Sequence, residues 1–246
     1  MVYEKIAEKT HPKLAVLVDP DKQSVYSLLA LIRLAVNAKT DFFFVGGSLL
    51  LENRFEETIA TIKKHCHIPV VIFPGNNYQV SKSADAILFL SLISGRNAEY
   101  LIGQQVVAAP LVKEANLEVI PTGYILIDGG RISTTSYMTQ TVPLPNDKPD
   151  IAVATALAGE MLGMKAIYLE AGSGAKQCVS STIIKAVKQN VQVPLIVGGG
   201  IRTGEQAEEI VRAGADIIVV GNVLEKEPEL LMEISLAIHS CNKIKE

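Results

Sequence analysis

Short apolar runs recur along the chain, and nearly all of them stop at glycine or a polar residue. Lys13–Val18 runs into Asp19-Pro20, and Phe42–Val45 into Gly46-Gly47-Ser48. Val70–Phe73 meets Pro74-Gly75-Asn76, and Ala86–Leu90 meets Ser91. Val119–Ile127 is a longer run, and Ala166–Leu169 ends at Glu170-Ala171-Gly172. Pro194–Val197 runs into Gly198-Gly199-Gly200, and Asp216–Val220 into Gly221-Asn222. Such continuous, β-branched runs suit strands buried on both faces, as in a parallel sheet. Between them lie amphipathic helical patterns. In Gly204–Ala213, Ala207, Ile210 and Val211 share one face, while Glu205, Glu208, Glu209 and Arg212 lie largely off it. Ser24–Ala38 and Ser180–Gln189 read the same way.

Eight strand–helix units predict an α/β fold of the (β/α)8 TIM-barrel type rather than an open sheet. A length of 246 residues matches one such barrel, and no linker divides it, so residues 1–246 are expected to form a single TIM-barrel domain. Two segments depart from the regular repeat. Only about a dozen residues separate Phe73 from Ala86, and they begin Pro74-Gly75-Asn76. The helix after the third strand is therefore expected to be missing or replaced by a loop. Conversely, Asp128–Asp150 is long and polar, with Gly129, Gly130, Pro143, Pro145 and Pro149. A loop of that length in a compact domain is usually a lid or binding loop.

Composition narrows the function. The chain is 48% hydrophobic and carries a net charge of −3, so no global field attracts nucleic acid or an anionic membrane. An anionic substrate must be held by local groups. Cys66, Cys178 and Cys241 are far apart and odd in number, which fits a reducing cytoplasm without a disulfide framework. The N-terminal residues are charged where a signal peptide is apolar, and no run of 18 apolar residues occurs. A cytoplasmic protein is expected, and an apolar substrate would come from solution or from a membrane surface.

Barrels carry their chemistry at the C-terminal ends of strands. The strongest signal is the pair of glycine loops, Gly198–Gly200 and Gly221-Asn222, after the seventh and eighth strands. Glycine lets the backbone approach an anion, and helix-start amides meet phosphate oxygens there. This is the usual phosphate site of the fold. Tyr168-Leu169-Glu170-Ala171-Gly172-Ser173-Gly174 is the second signal. Alternation puts Tyr168 and Glu170 on one side of the strand and Leu169 on the other. Glu170 is a candidate general base, or alternatively one half of a structural ion pair. Asp19 and Ser48 end adjacent strands. Either each caps a following helix, or their oxygens converge on Mg²⁺. His11, His65, His67 and His239 have no metal-ligand spacing, and no Walker loop or GxGxxG is present.

The set VDPDK, FFFVGGS, YLEAGSG, VGGGIRT and VVGN resembles the geranylgeranylglyceryl phosphate synthase family, which includes the bacterial heptaprenylglyceryl phosphate synthases. The likeness covers nearly the whole chain and is greatest to the bacterial members of the second group. It implies an Mg²⁺-dependent prenyltransferase of lipid biosynthesis that joins a polyprenyl diphosphate, foremost geranylgeranyl diphosphate, to sn-glycerol 1-phosphate and releases diphosphate. By position, Asp19 and Ser48 would bind the metal. Tyr168, Leu169, Glu170, Ala171, Gly172, Ser173, Gly174, Gly199, Gly200, Gly221 and Asn222 would hold glycerol phosphate. Where the other bacterial group has a lysine two residues before the metal aspartate, this chain has Leu17, so Arg202 or backbone amides must serve.

Within that chemistry Glu170 is the expected base for the glycerol 3-hydroxyl. Leu88, Leu90, Leu92, Ile93, Tyr100 and Tyr124 are candidates for the prenyl groove, with ordinary core as the alternative. The resemblance places at Tyr100 a bulky residue that limits tail length. It also implies a homo-oligomer and leaves room for peripheral membrane contact. The alternatives are the same reaction with a heptaprenyl donor, a phosphate-binding isomerase using Asp19 and Asp128, or an inactive assembly module. An aldolase is disfavoured because no clear strand core shows a Schiff-base lysine.

Overall fold

The computed structural model describes residues 1–52 and 54–241. Eight parallel strands close in chain order: β1 (Lys13–Val18), β2 (Phe42–Val45), β3 (Val70–Ile72), β4 (Ala86–Leu92), β5 (Glu118–Leu126), β6 (Ala166–Glu170), β7 (Leu195–Gly198) and β8 (Ile217–Val220). Closure pairs β8 with β1 and leaves no free sheet edge. The α/β TIM barrel expected from the sequence is present, and the strand ends fall close to where the apolar runs stop.

Helices cover the strands wherever the sequence offers an apolar stripe. α1 (Val2–Ala7) precedes the barrel; α2 (Val25–Asn37) and α3 (Phe55–His65) follow β1 and β2. A π turn at Glu99–Gly103 leads into α4 (Gln104–Glu114) after β4. The long segment after β5 holds α5 (Thr134–Thr139) before α6 (Pro149–Met161). α7 (Ser181–Asn190), α8 (Gly204–Ala213) and α9 (Leu230–Ser240) follow β6, β7 and β8. Side-chain caps start several of them: Ser24, Ser133, Ser180 and Thr203 each accept a backbone N–H of the first turn.

Alternation divides the core into two layers. Ala15, Phe42, Phe44, Leu88, Tyr124, Tyr168, Ile196 and Val219 point into the barrel. Val16, Phe43, Ile72, Ile87, Leu169, Val197 and Ile218 point toward the helices. α1 closes the N-terminal end, with Ile6 buried in the inner layer and the Val2 and Tyr3 amides donating to the Glu118 carboxylate. Lys13 corrects one sequence expectation, because it is a strand lysine and fully buried. It lies at the same closed end, its ammonium donating to the carbonyls of Glu8 and His11, remote from the strand tops.

No helix separates β3 from β4. Residues 73–85 form a loop, fixed by Gln79, which is 3% exposed. Its side chain accepts from the Gly47 and Gly75 amides and donates to the Gly47 carbonyl at 2.8 Å. The helical ring is therefore open beside β4. Among the described residues no helix is long and apolar enough to cross a membrane.

Candidate active site

A cavity of about 670 Å³ opens at the C-terminal mouth. Its walls include Asp19, Ser48, Tyr168, Glu170, Ser173, Gly174, Gly199, Gly200, Gly221 and Asn222, so residues from β1, β2, β6, β7 and β8 meet in one space. Leu169, Ala171 and Gly172 do not line it. Leu169 and Ala171 are buried in the layer beneath the helices, and the Gly172 amide is already committed to Glu170. These three residues of the expected glycerol phosphate set thus shape the loop rather than face the cavity.

Glu170 is 6% exposed at the top of β6. Its Oε1 accepts the Gly172 amide at 2.7 Å. Burial drives its carboxyl up to about 7, against the opposing pull of that amide and of the Tyr168 hydroxyl. Such a carboxyl can hold or release a proton near neutrality. No Lys or Arg pairs with it among the described residues, which removes the structural ion-pair alternative. The Tyr168 hydroxyl and Glu170 Oε2 both flank Gly198, where a Cβ would collide with the hydroxyl. That hydroxyl is buried and, though close to Glu170, finds no partner at hydrogen-bonding geometry. Buried hydroxyls are rarely left so, and the usual resolution is a ligand or ordered water. Ser173 donates to Asn222 Oδ1 at 2.9 Å and ties the β6 loop to the β8 loop.

Across the mouth stand further carboxylates. Asp19 Oδ1 accepts the Asp21 amide at 3.1 Å, so Asp19 does cap the short turn Pro20–Lys22. Burial raises its pKa, and the nearby charge of Asp21 adds to this. The negative charge of Asp19 in turn raises Glu225, after burial. The same carboxylate overhangs β2: a Cβ on Gly47 would stand 3.1 Å from Asp19 Oδ1. Ser48 follows directly, its hydroxyl 3.1 Å from Thr135 Oγ1 in α5. The oxygen facing Gly47 is the one that accepts the Asp21 amide, so capping does not turn the carboxylate away from the β2 loop, and Asp19 and Ser48 line one cavity. The Asp19 carboxylate and the Ser48 and Thr135 hydroxyls line the same cavity, and an all-oxygen set of this kind suits a hard divalent cation that takes its remaining positions from water and phosphate. Among the described residues no group of three His, Cys, Asp or Glu forms a protein-only metal cage. Lys22 and Arg202 also line the cavity, the latter donating to the Ala175 carbonyl. Leu17 packs where a Cβ on Gly221 would be, 3.2 Å away, so the residue at position 17 faces the β8 loop.

An apolar arm continues from this polar mouth. Val80, Ile87, Phe89 and Ala108 line it, and Phe73 and Leu90, packed on the inner layer, stand where it leaves the barrel mouth. Ile87 and Phe89 lie on the outer face of β4, so the arm descends outside the barrel, through the gap where a helix is missing. Of the expected groove residues, Leu90, Leu92, Tyr100 and Tyr124 line the cavity. Leu88 points into the barrel core instead, and Ile93 faces a separate cleft against α6. At the junction Phe73 stacks on Tyr168 at 5.0 Å between ring centroids, with Tyr124 edge-on to Phe73 at 5.9 Å. Phe73, Gln79 and Thr135 are not among the residues expected from sequence; the irregular third unit signals the first two, and the long Asp128–Asp150 loop signals Thr135. Asp128 is exposed, accepts the Gly130 amide and lies off the cavity, so it forms no acid–base pair with Asp19.

A family model described as the PcrB family matches residues 5–238. The chain belongs to the PcrB family. Among its relatives, the geranylgeranylglyceryl phosphate synthase of Spirosoma linguale is 52% identical, over 93% of this chain and 92% of that protein. That of Pyrococcus furiosus is 44% identical, over 90% of each. The crystal structure of (S)-3-O-geranylgeranylglyceryl phosphate synthase from Thermoplasma acidophilum, in complex with sn-glycerol-1-phosphate, superposes with a TM-score of 0.92 at 36% identity and covers 98% of this chain and 99% of that one. Within the PcrB family frame, the paired polar mouth and apolar arm are the features that demand a chemical explanation.

Proposed function

We propose that this PcrB-family protein transfers a prenyl group, foremost geranylgeranyl, from its diphosphate to the 3-hydroxyl of sn-glycerol 1-phosphate. One observation carries this reading: a near-neutral carboxyl and an unpaired tyrosine hydroxyl open onto the same cavity as an apolar arm that leaves the barrel sideways. Glycerol phosphate would lie over Tyr168, Glu170 and Ser173, its phosphate on the amides of Gly199, Gly200 and Asn222 with Arg202 nearby. Here Arg202 and backbone amides replace the lysine that Leu17 does not supply.

The C–O bond to diphosphate breaks at the allylic carbon, and a new C–O bond forms to the glycerol oxygen. Glu170 Oε2 takes the hydroxyl proton, since Oε1 is held by Gly172. The faces of Phe73, Tyr124 and Tyr168 line the junction where positive charge develops. Asp19 and Ser48 would hold Mg²⁺, whose positive charge would offset the negative charge of the departing diphosphate. A polyanionic leaving group beside Asp19 and Asp21 would need a cation between them.

The exposed rim of the mouth, with Leu49, Leu51, Tyr137 and Met138, supports transient contact with a membrane surface that supplies the donor. Exposed Ile102, Val106, Val107 and Leu111 along α4 and the preceding turn support self-association of a cytoplasmic enzyme through its outer helices. The test is an assay of labelled glycerol 1-phosphate with C10 to C35 diphosphates, with and without Mg²⁺. Absence of product with every donor would overturn the proposal.

A further inference from the structure

The apolar arm is bordered by an irregular piece of helix. At Glu99–Gly103 the backbone takes a π turn, in which the Gln104 amide bonds back to Glu99. In a regular α-helix that amide would serve the Tyr100 carbonyl. The donor is thereby displaced, and the Gln105 side chain takes over. Its Nε2 donates to the Tyr100 carbonyl at 3.2 Å and also to the Leu90 carbonyl on β4. Both amide hydrogens are used, and Oε1 is left buried without a partner. A second staple lies beside it, where the Ser91 hydroxyl donates to the Leu101 carbonyl at 2.7 Å. Together the two side chains hold the π turn, and Tyr100 with it, against the strand.

Gln105 itself lines the arm, next to Leu90 and Ala108. A polar amide with an unsatisfied oxygen is a costly wall for an apolar tail, and an aliphatic residue would line it better. Its value lies in the two carbonyls it bridges. Tyr100 is then fixed from both ends, by Gln105 at its carbonyl and by its own hydroxyl, which donates to the Met138 carbonyl at 3.2 Å.

We infer that Gln105, with Ser91, is a positioning residue for prenyl-length specificity: it pins the Tyr100 turn to β4 and so sets how far a tail can extend along the arm. The inference rests on the prenyltransferase reading above. Without the amide, the turn loses its bridge to β4 and longer tails gain room, while the glycerol phosphate loops are untouched.

The experiment compares kcat/KM for C35 and C20 prenyl diphosphates in the wild type and in Gln105→Met, Ser91→Ala and Tyr100→Ala, with folding checked by circular dichroism. Gln105→Met keeps the length of the side chain and removes its donors. The C35 to C20 ratio is expected to rise by about tenfold, the size typical of apolar pocket discrimination, with KM for glycerol 1-phosphate unchanged. Ser91→Ala is expected to move the ratio the same way, and decides the matter if Gln105→Met does not fold. A shift in Tyr100→Ala with none in folded Gln105→Met and Ser91→Ala would overturn the inference and leave the prenyltransferase reading standing. No turnover of either donor by the wild type would overturn both.

Discussion

The Glu170 carboxylate rests directly on the backbone of Gly199, with no room for a Cβ between them. A methyl there would strike Glu170 Oε1 and stand 2.7 Å from the Gly172 amide that orients it. Gly199 also has φ +87°, a conformation that costs other residues about 1–2 kcal/mol. Gly199→Ala is therefore expected to displace the carboxylate and lower kcat/KM by about 100-fold, the scale of an ångström-level misplacement. Gly163→Ala is the control. It shares the positive φ (+91°) but meets nothing within 4 Å. Equal losses of activity in the two variants would show that only backbone strain is at work.

Glu170 makes stability depend on pH in a definite direction. Its carboxyl ordinarily titrates at 4.5 and stands at about 7 in the fold. Between those values the folded chain binds the proton and the unfolded chain does not, so stability falls as pH rises through this window. The shift corresponds to at most about 3 kcal/mol. Glu170→Gln removes the charge but can still accept the Gly172 amide. Its melting temperature should exceed that of the wild type at pH 8 and match it near pH 4.5. Its activity should fall by at least about 100-fold, and the wild-type rate should rise through pH 7 as the base ionises. Near wild-type turnover in Glu170→Gln would remove Glu170 from the proton transfer.

The Tyr168 hydroxyl separates ligand binding from folding. It is buried and unpaired, so Tyr168→Phe should leave thermal stability unchanged or slightly raised. The same change should raise the KM for glycerol 1-phosphate by about tenfold, since a hydrogen bond to a charged ligand is worth about 1.5–3 kcal/mol. A loss of stability with an unchanged KM would make the hydroxyl a structural group.

Asp19→Asn tests the cation. Asparagine keeps an oxygen for the Asp21 amide, so the turn at Pro20–Lys22 should survive. Diphosphate binding in the presence of Mg²⁺, followed by calorimetry, should be lost, while binding of glycerol 1-phosphate persists. Chelation should silence the wild type in the same way. Undiminished Mg²⁺-dependent diphosphate binding by Asp19→Asn would move the cation elsewhere.

Tyr100→Ala removes both a ring from the cavity wall and the bond to the Met138 carbonyl. Diphosphates longer than C20 should then be used better relative to C20, by about tenfold in kcat/KM. An unchanged chain-length profile would refute a limiting role for this residue.

The barrel was legible because each strand is a short apolar run ending in glycine or a polar residue, and the closed sheet needs little else. The loops after β6, β7 and β8 were legible for the same reason: Glu170, Ser173, Gly199, Gly200 and Gly221 line the cavity where parity and the fold place them. The apolar arm was not. Alternation along β4 sends Leu88 inward and Ile87 and Phe89 outward, yet all three look alike in an unbroken apolar run. Which face borders a cavity depends on the absent helix after β3, and the short third unit announced that absence without saying what it would expose. Gln79, Ser91 and Gln105 act through backbone carbonyls and amides of distant residues, a pairing that has no sequence period.

The break in the helical ring has a consequence for how such a protein can change. An ordinary barrel is packed solid inside and ringed by helices, so it takes its ligands at the C-terminal face, among the loops that follow the strands. In the reaction proposed above, the long half of an amphiphile would lie at the perimeter and its head at the centre, because the cavity reaches from the strand tops to the outer face of β4. The two halves are then shaped by different parts of the chain, β4 and α4 for one and the loops of β6 to β8 for the other. Drift in the first can retune the tail without disturbing the chemistry fixed by the second.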